Sequence, residues 1–414
     1  MRRANNRFLS HLAALGTITV LAGCASLGPR LPMSTMEEPA PEPVACGVRT
    51  LAPSGAFELL SSAEVARRLA ARLGDRPLSI LALSSGGASG AFGAGALVGS
   101  ASDGKRPEFT VVTGVSAGAL VAPFAFLGSS WDAEMTTIFT TGVTDRLLQS
   151  RGLGAVFGSS VYSGEPLRRL IEHYADDALI AAVAREAARG RLLLVATTDF
   201  ASGEPVIWDL GSIALHGGES AKPLFRSVLL ASASVPGMLP PVVLTVRSQG
   251  TTRVETHVDG GVTLPFFIAP APDDLPQSWG GSTTSVRVII DGPLRDPPRP
   301  THANAVSIFS RSLSAALSYV TRTKLESTVG ALRARGIALD YAAIPASYPL
   351  RGAFDFGPDV ERSLFEYAAS CAEAGELWTH SASGEPVAAR AAVSGSPTCP
   401  ADDSFIGHLA ALEN

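Results

Sequence analysis

The sequence predicts an α/β protein of three layers, α/β/α, with a mostly parallel central sheet. Apolar segments of strand length, among them residues 78–83 and 109–113, alternate with longer segments of helical periodicity. This alternation is typical of a parallel sheet that is covered by helices on both faces. Residues 192–196 are all apolar, which fits a strand that is buried on both faces.

The remaining elements follow from the spacing of apolar residues and from the turn residues that separate them. Helices are predicted at residues 51–76, 91–98, 117–126, 166–174, 176–188, 224–233 and 306–336. Further strands are predicted at residues 206–210, 242–246, 253–258 and 286–290. A tail of turns and helix follows residue 348.

Composition limits the classes of partner and the number of domains. The chain has 414 residues, of which 46% are hydrophobic and 17% charged, and its net charge is −5. No long basic run follows the N-terminus, so we expect no nucleic-acid partner. We expect a main domain at residues 51–345, with its motifs at 78–291, and a C-terminal extension at 346–414 that packs on it.

The N-terminus has the pattern of a secretory signal. Arg2, Arg3 and Arg7 precede an apolar run that is too short to span a bilayer. The run ends in Leu21-Ala22-Gly23-Cys24, which resembles the lipobox of bacterial lipoproteins, in which the cysteine is acylated. The alternative is a plain signal peptide in which Cys24 occurs by chance.

The lipobox resemblance implies a signal peptide at residues 1–23 and a lipid-anchored mature chain that begins at Cys24. Residues 24–50 are rich in Pro and Glu and are expected to form an extended tether. Ala25, rather than Asp, follows the cysteine, which by the same resemblance favours the outer membrane. We therefore expect a protein of the bacterial cell envelope that faces the periplasm.

Three further cysteines, Cys46, Cys371 and Cys399, would lie in an oxidising compartment, where a disulfide can form. Three pairings are open. A bond between Cys371 and Cys399, which closes a C-terminal loop, is favoured over a buried free thiol. Their spacing resembles no zinc site.

A candidate nucleophile lies in Gly114-Val115-Ser116-Ala117-Gly118, between a predicted strand and a predicted helix. A serine at such a sharp turn is exposed for attack, and the small residues Gly114 and Gly118 prevent clashes. The Ala117 amide, at the N-terminus of the helix, is placed to stabilise an oxyanion. The alternative is a tight strand-to-helix turn without chemistry.

An earlier glycine-rich turn follows the strand at residues 78–83. Its successive amides at Gly86 and Gly87 are candidate donors for an oxyanion hole. The turn has neither the glycine spacing of a dinucleotide-binding fingerprint nor the Gly-Lys-Ser/Thr of a phosphate-binding loop. Close packing of the strand against the helix explains some of the later glycines.

The candidate base is Asp259, which ends an alternating strand and precedes Gly260 and Gly261. Strand ends at this edge of an α/β sheet form crevices. We expect Asp259 to be partly buried, because burial raises the pKa of a carboxyl and makes it a better base. One alternative is an Asp-Gly-Gly turn that has no catalytic role. A triad through His257, which shares strand parity with Asp259, is another.

Taken together, these three turns resemble the patatin-like phospholipase family over residues 78–291. The resemblance implies a patatin-like fold and a Ser–Asp dyad in which Ser116 attacks an acyl ester and Asp259 takes its proton. It implies oxyanion donors at Gly86, Gly87 and Ala88, and no metal or organic cofactor. Two residues depart from the family's pattern: Ser85 replaces a glycine, and Ser89 stands where a basic residue is usual.

The expected function is that of a lipid-anchored serine acyl hydrolase acting on fatty-acyl esters of phospholipids or related lipids. Loss of the basic residue at position 89 should weaken attraction to an anionic headgroup. One alternative is a general carboxylesterase or thioesterase on the same fold. Another, kept open by Ser85 and Ser89, is a non-catalytic envelope lipoprotein with a degenerate hydrolase fold. The sequence identifies no protein partner.

Overall fold

A computed structural model of the chain describes residues 47–74, 76–102, 104, 106–152, 159–248, 251–280, 283–295, 298, 300–352, 354–381 and 398–400. Its strands are β1 Val48–Leu51, β2 Phe57–Leu60, β3 Leu78–Leu83, β4 Val111–Val115, β5 Leu192–Asp199, β6 Pro205–Asp209, β7 Val242–Ser248, β8 Thr251–Asp259, β9 Thr284–Ile290, β10 Leu339–Ala343 and β11 Thr379–His380. Its α-helices are α1 Ser62–Leu73, α2 Gly90–Gly99, α3 Ala117–Leu127, α4 Asp132–Thr140, α5 Glu165–Tyr174, α6 Asp177–Ala188, α7 Leu210–His216, α8 Ala221–Ser232, α9 Ala305–Ala334 and α10 Pro358–Glu373.

All the strands belong to one eleven-stranded sheet, in the order β11-β10-β9-β3-β4-β5-β6-β1-β2-β7-β8. The five strands β10, β9, β3, β4 and β5 pair in parallel, and antiparallel pairs predominate beyond them. Alternate residues of β3 enter two apolar clusters on opposite faces of the sheet: Leu81 and Leu83 in one, Ile80 and Ala82 in the other. Helices α2, α3 and α10 contribute to the first cluster, and α1 and α9 to the second. The predicted three-layer α/β/α fold is confirmed.

One edge of β5 serves two different partners. Strand β4 runs parallel to its first half and ends with Val115 opposite Ala196. Strand β8 runs antiparallel to its last residues, with Asp259 opposite Thr197. Because β6 occupies the other edge of β5, β4 and β8 share the same edge and their ends meet there.

The first elements differ from the helix predicted at residues 51–76. That prediction is wrong for residues 51–60, which form β1, a turn and β2 before α1 begins at Ser62. Strand β1 pairs with the distant β6, and in β2 only Phe57 and Leu60 are buried. Pairing between residues distant in sequence therefore determines the structure here, rather than the helix-like spacing of the apolar residues. Strand β1 also includes residues 48–50, which were expected to be the last residues of the extended tether. Helix α4 was not predicted.

The C-terminal extension contacts the main domain through α10. This helix lies so close to α2 that a Cβ at Gly95 would come within 2.1 Å of the Phe365 carbonyl oxygen. Cys371, near the end of α10, is bonded to Cys399 with a Cα–Cα distance of 5.6 Å. The favoured disulfide is therefore confirmed. Cys24, Cys46 and the predicted signal peptide lie outside the described residues.

None of the helices within the described ranges has the length and apolar character needed to cross a bilayer.

Gly95→Ala is expected to lower the melting temperature by several degrees, because the added methyl group collides with the backbone of α10. Gly330→Ala is the matched control, since its Cβ would meet nothing within 4 Å in the last part of helix α9. This control should be neutral or stabilising by about 0.4–1 kcal/mol. Thermal unfolding followed by circular dichroism compares the two, and equal melting temperatures would contradict the close packing of α2 and α10.

Candidate active site

Ser116 lies at the turn between β4 and α3, with φ 55° and ψ −120°. Of the non-glycine residues that the structure describes, it has the one positive φ. Strained backbone of this kind is found at nucleophile turns, where it projects the hydroxyl out of the sheet. The Ser116 amide donates to Ser232 Oγ (3.0 Å), which in turn donates to the Ala196 carbonyl (2.7 Å). The turn is thereby tied to β5.

The glycines on either side of Ser116 are required by close packing. A Cβ at Gly114 would lie 2.6 Å from the Gly118 carbonyl oxygen, and one at Gly118 would lie 2.6 Å from the Leu83 carbonyl oxygen. These are the two glycines that the sequence predicted as part of the nucleophile turn. Larger side chains at either position would push α3 away from β3 and β4.

The hydroxyl of Ser116 meets the carboxyl of Asp259 directly. Ser116 Oγ donates to Asp259 Oδ2 at 2.6 Å, and Asp259 Oδ1 accepts from the Gly261 amide at 2.7 Å. Gly260 follows at a point where a Cβ would lie 2.4 Å from the Ala196 carbonyl oxygen. The two predicted residues Ser116 and Asp259, 143 positions apart, are thus in hydrogen-bond contact.

Asp259 is 3% exposed, and burial raises its pKa from 3.8 to about 7, against the opposing effect of the hydrogen bonds from Ser116 and Gly261. A carboxyl with this pKa is half ionised near neutral pH. It can therefore accept a proton from a hydroxyl far better than an exposed aspartate can.

His257 does not lie between the serine and the aspartate. Its Nδ1 contacts Thr197 Oγ1 at 3.0 Å, and its Nε2 contacts Glu255 Oε2 at 3.1 Å. The ring is fully buried with an edge against Trp208. The interpretation of His257 as a triad member is therefore wrong, because both ring nitrogens are engaged elsewhere.

The amides proposed for an oxyanion hole lie beside the hydroxyl. In the described part of the chain, no protein acceptor is found for the amides of Gly86, Gly87, Ala88 or Ala117. Gly87 has φ +60°, a conformation that favours glycine, and begins a short 3-10 turn. Gly86, Gly87 and Ala117 line the cavities at the site, whereas Ala88 lies deeper in the turn and lines neither.

Two cavities meet at these amides. The larger, of about 290 Å³, contains Ser116, Asp259, Gly86 and Gly87. The smaller, of about 70 Å³, reaches Gly87 and Ala117 from the side of α3, α4 and α5. Most of the lining in both is apolar, so apolar groups can be accommodated on two sides of Gly87.

Sequence reasoning assigned no role to Asp291, which follows β9. It lines the larger cavity, its Oδ1 accepts from the Gly93 amide (2.9 Å), and a Cβ at Gly86 would lie 2.3 Å from its carbonyl oxygen. Burial raises its pKa well above 3.8. Asp291 thus fixes the glycine-rich turn to α2. The signal in the sequence was an acidic residue and a glycine after an apolar strand, the same pattern as at Asp259.

No group of three or more His, Cys, Asp or Glu side chains within the described ranges is arranged to hold a metal ion.

Residues 81–271 match the model of the patatin-like phospholipase family. The chain contains a patatin-like phospholipase domain. The matched range contains Ser116, Asp259 and all the predicted oxyanion donors, whereas β9, α9 and α10 lie outside it.

Among solved structures, VipD from Legionella pneumophila is similar to this chain at 12% sequence identity and a TM-score of 0.29. That match covers 84% of this chain and 73% of the VipD chain. No curated protein matches the sequence.

Asp259→Asn is expected to make the protein more stable to heat than the wild type. This difference in stability should grow as the pH rises from about 4 to about 8. The native carboxyl keeps its proton up to about pH 7, whereas the unfolded one loses it near 3.8. The free energy of unfolding of the wild type therefore falls through this interval, by up to about 4 kcal/mol for this group. Asparagine has no charge to bury and removes that loss.

Calorimetry of the wild type and Asp259→Asn at several pH values measures this difference. The advantage of the variant should be small near pH 4 and greatest above pH 7. A difference that does not change with pH would contradict a raised pKa at Asp259.

Proposed function

We propose that this protein hydrolyses fatty-acyl esters through a Ser116–Asp259 dyad. The observation that carries the proposal is the 2.6 Å hydrogen bond from Ser116 Oγ to Asp259 Oδ2 at a strained strand-to-helix turn. Membership of the domain in the patatin-like phospholipase family supports a lipid hydrolase. The two mostly apolar cavities, one lined by Ser116 and both lined by Gly87, support an acyl ester as the substrate.

In the first half-reaction, Ser116 Oγ attacks the ester carbonyl carbon while its proton passes to Asp259 Oδ2. The negative charge that develops on the carbonyl oxygen is stabilised by amides of the glycine-rich turn and by the Ala117 amide at the N-terminus of α3. Collapse of this intermediate breaks the ester C–O bond, and Asp259 returns the proton to the departing alcohol. Ser116 then carries the acyl group.

In the second half-reaction, Asp259 takes a proton from water, which attacks the acyl-serine. The same amides stabilise the second intermediate. Its collapse releases the fatty acid, and Asp259 returns the proton to Ser116 Oγ. Every step uses one hydroxyl, one carboxyl and fixed amides.

Intact geometry at the dyad supports catalysis over the alternative of a non-catalytic lipoprotein. Ser85 and Ser89 depart from the family's pattern without disturbing the turn: the Ser85 amide donates to the Pro265 carbonyl (2.9 Å), and the Ser89 amide donates to the Gly86 carbonyl (3.2 Å). The mostly apolar lining of the larger cavity favours a hydrophobic ester as the substrate.

Fluorophosphonate labelling and ester hydrolysis test the dyad. Ser116→Ala is expected to abolish labelling and to lower kcat/KM by at least about 10³-fold, because no nucleophile remains. Asp259→Asn is expected to lower it by about 10²–10⁴-fold. Ser312→Ala, on the exposed side of α9, serves as the control.

For the wild type, kcat/KM should rise with pH and level off above about 7, since Asp259 must be ionised to accept the proton. Hydrolysis by Ser116→Ala at the rate of the wild type would exclude the mechanism.

We further propose that the chain is a lipoprotein anchored through Cys24 and carried to the outer membrane, facing the periplasm. The Cys371–Cys399 disulfide supports an oxidising compartment.

In bacteria fed a palmitate analogue, the wild type should take up label and Cys24→Ser should not. Cys46→Ser is the matched control and should keep the label, because it lies beyond the lipobox. Equal labelling of Cys24→Ser and the wild type would contradict the anchor.

A further inference from the structure

The charges that line the two cavities are unusual for a site that would bind a phospholipid. The described lining residues include three carboxyls and no lysine, arginine or histidine: Asp259 and Asp291 in the larger cavity and Glu361 in the smaller. Burial raises the pKa of all three. Ser89, which replaces a basic residue of the family's pattern, lies in this lining and is buried.

One wall of the larger cavity belongs to α9. Leu313, Leu317 and Thr321, at helical spacing, line the cavity, and Ser314 and Ser318 line it beside them. Further along the helix, residues of the apolar core hold it against the sheet: Leu325, Val329 and Leu332. An uncharged helical face, packed against the sheet at one end, therefore lines the cavity that contains Ser116 and Asp259. The wall is outside the range that matches the family model.

The nearest basic residues along the chain do not supply the missing charge. Arg311 precedes this wall, Arg322 follows the lining residue Thr321, Arg351 lies between the lining residues Leu350 and Gly352, and Arg295 lies two positions after the lining residue Pro293. None of these four arginines lines the cavity. Arg322 lies over the Tyr319 ring, and each of the other three interacts with another group of the protein.

A glycerophospholipid would bring a phosphate into this space. Its phosphate is attached to the carbon next to an esterified one, so a phosphate enters the site whenever that ester reaches Ser116. Phosphates in proteins are bound by arginine, lysine or clustered amides. The clustered amides of this site are assigned to the carbonyl oxygen of the ester, so they are not free to bind a phosphate at the same time. An unneutralised phosphate would also raise the pKa of Asp259 further and leave the base protonated.

We propose that the site is selective for acyl esters of uncharged alcohols, of the acylglycerol type, over glycerophospholipids. This inference rests on the proposed hydrolase function and names its substrate class. In this arrangement the acyl chain occupies one apolar cavity, and the uncharged alcohol, with any further chain, occupies the other. Gly87 lines both cavities, and Ala117 lines the smaller one.

The test compares three substrates that share their acyl chains and glycerol backbone: dioleoylglycerol, dioleoylphosphatidic acid and dioleoylphosphatidylcholine. Each is presented to the purified protein at equal mole fraction in micelles of a neutral detergent, and oleate release is measured. The diacylglycerol should exceed both phospholipids in kcat/KM by at least about tenfold. Equal or faster hydrolysis of either phospholipid would overturn the inference.

A pair of serine substitutions on α9 tests the electrostatic cause. Ser318→Arg places a cation in the cavity wall, whereas Ser312→Arg places one on the exposed side of the same helix. The first should raise the rate on phosphatidic acid relative to diacylglycerol by at least about fivefold, and the second should leave this ratio unchanged. Ser314→Lys provides a second cavity variant should Ser318→Arg fold poorly.

The possible failures are distinguishable. If Ser116-dependent hydrolysis of p-nitrophenyl esters occurs without any preference for diacylglycerol, this inference is overturned and the proposed hydrolase function stands. If no ester is hydrolysed in a Ser116-dependent way, the proposed function itself is overturned. An unchanged substrate ratio in both cavity variants would overturn the electrostatic explanation.

Discussion

The edge of β5 is the constraint on which the rest of the site depends. Strand β4 uses this edge as far as Ala196, and β8 uses it from Thr197 onward in the opposite direction. The residue after β4 and the last residue of β8 therefore come together, and they are Ser116 and Asp259. A shift of either strand by one residue would turn its side chains to the other face and separate the two oxygens. The pairing of β4 and β8 with β5 thus places the two side chains in contact, without a third side chain between them.

Burial of the aspartate raises its pKa and also costs stability. Removing the carboxyl from water raises its pKa into the range where it can take and return a proton, and two hydrogen bonds hold it in place. The backbone of Ser116 adds strain. The apolar clusters on both faces of the large sheet compensate for these unfavourable contributions to the free energy of folding.

Segments outside the matched range contribute part of the surroundings of the Ser116–Asp259 pair. Strand β9 leads to Asp291, whose carboxyl accepts from α2, while α9 forms an uncharged part of the wall of the larger cavity and α10 packs on α2. The disulfide at the end of α10 ties this region to the C-terminus. Ser116 and Asp259 themselves lie inside the matched range, so the two cavities are lined from both parts of the chain.

The sequence by itself determined the alternation of strands and helices, the two glycine-rich turns and the identities of Ser116 and Asp259. Those features are local, because glycine spacing and apolar periodicity act over a few residues. Only the tertiary structure decided that residues 57–60 form a strand, that His257 is engaged elsewhere and that Asp291 belongs to the site. Each of these depends on pairing or burial between residues distant in sequence, which no local pattern records. The charge of the cavities is decided in the same way, since their walls are assembled from elements far apart along the chain.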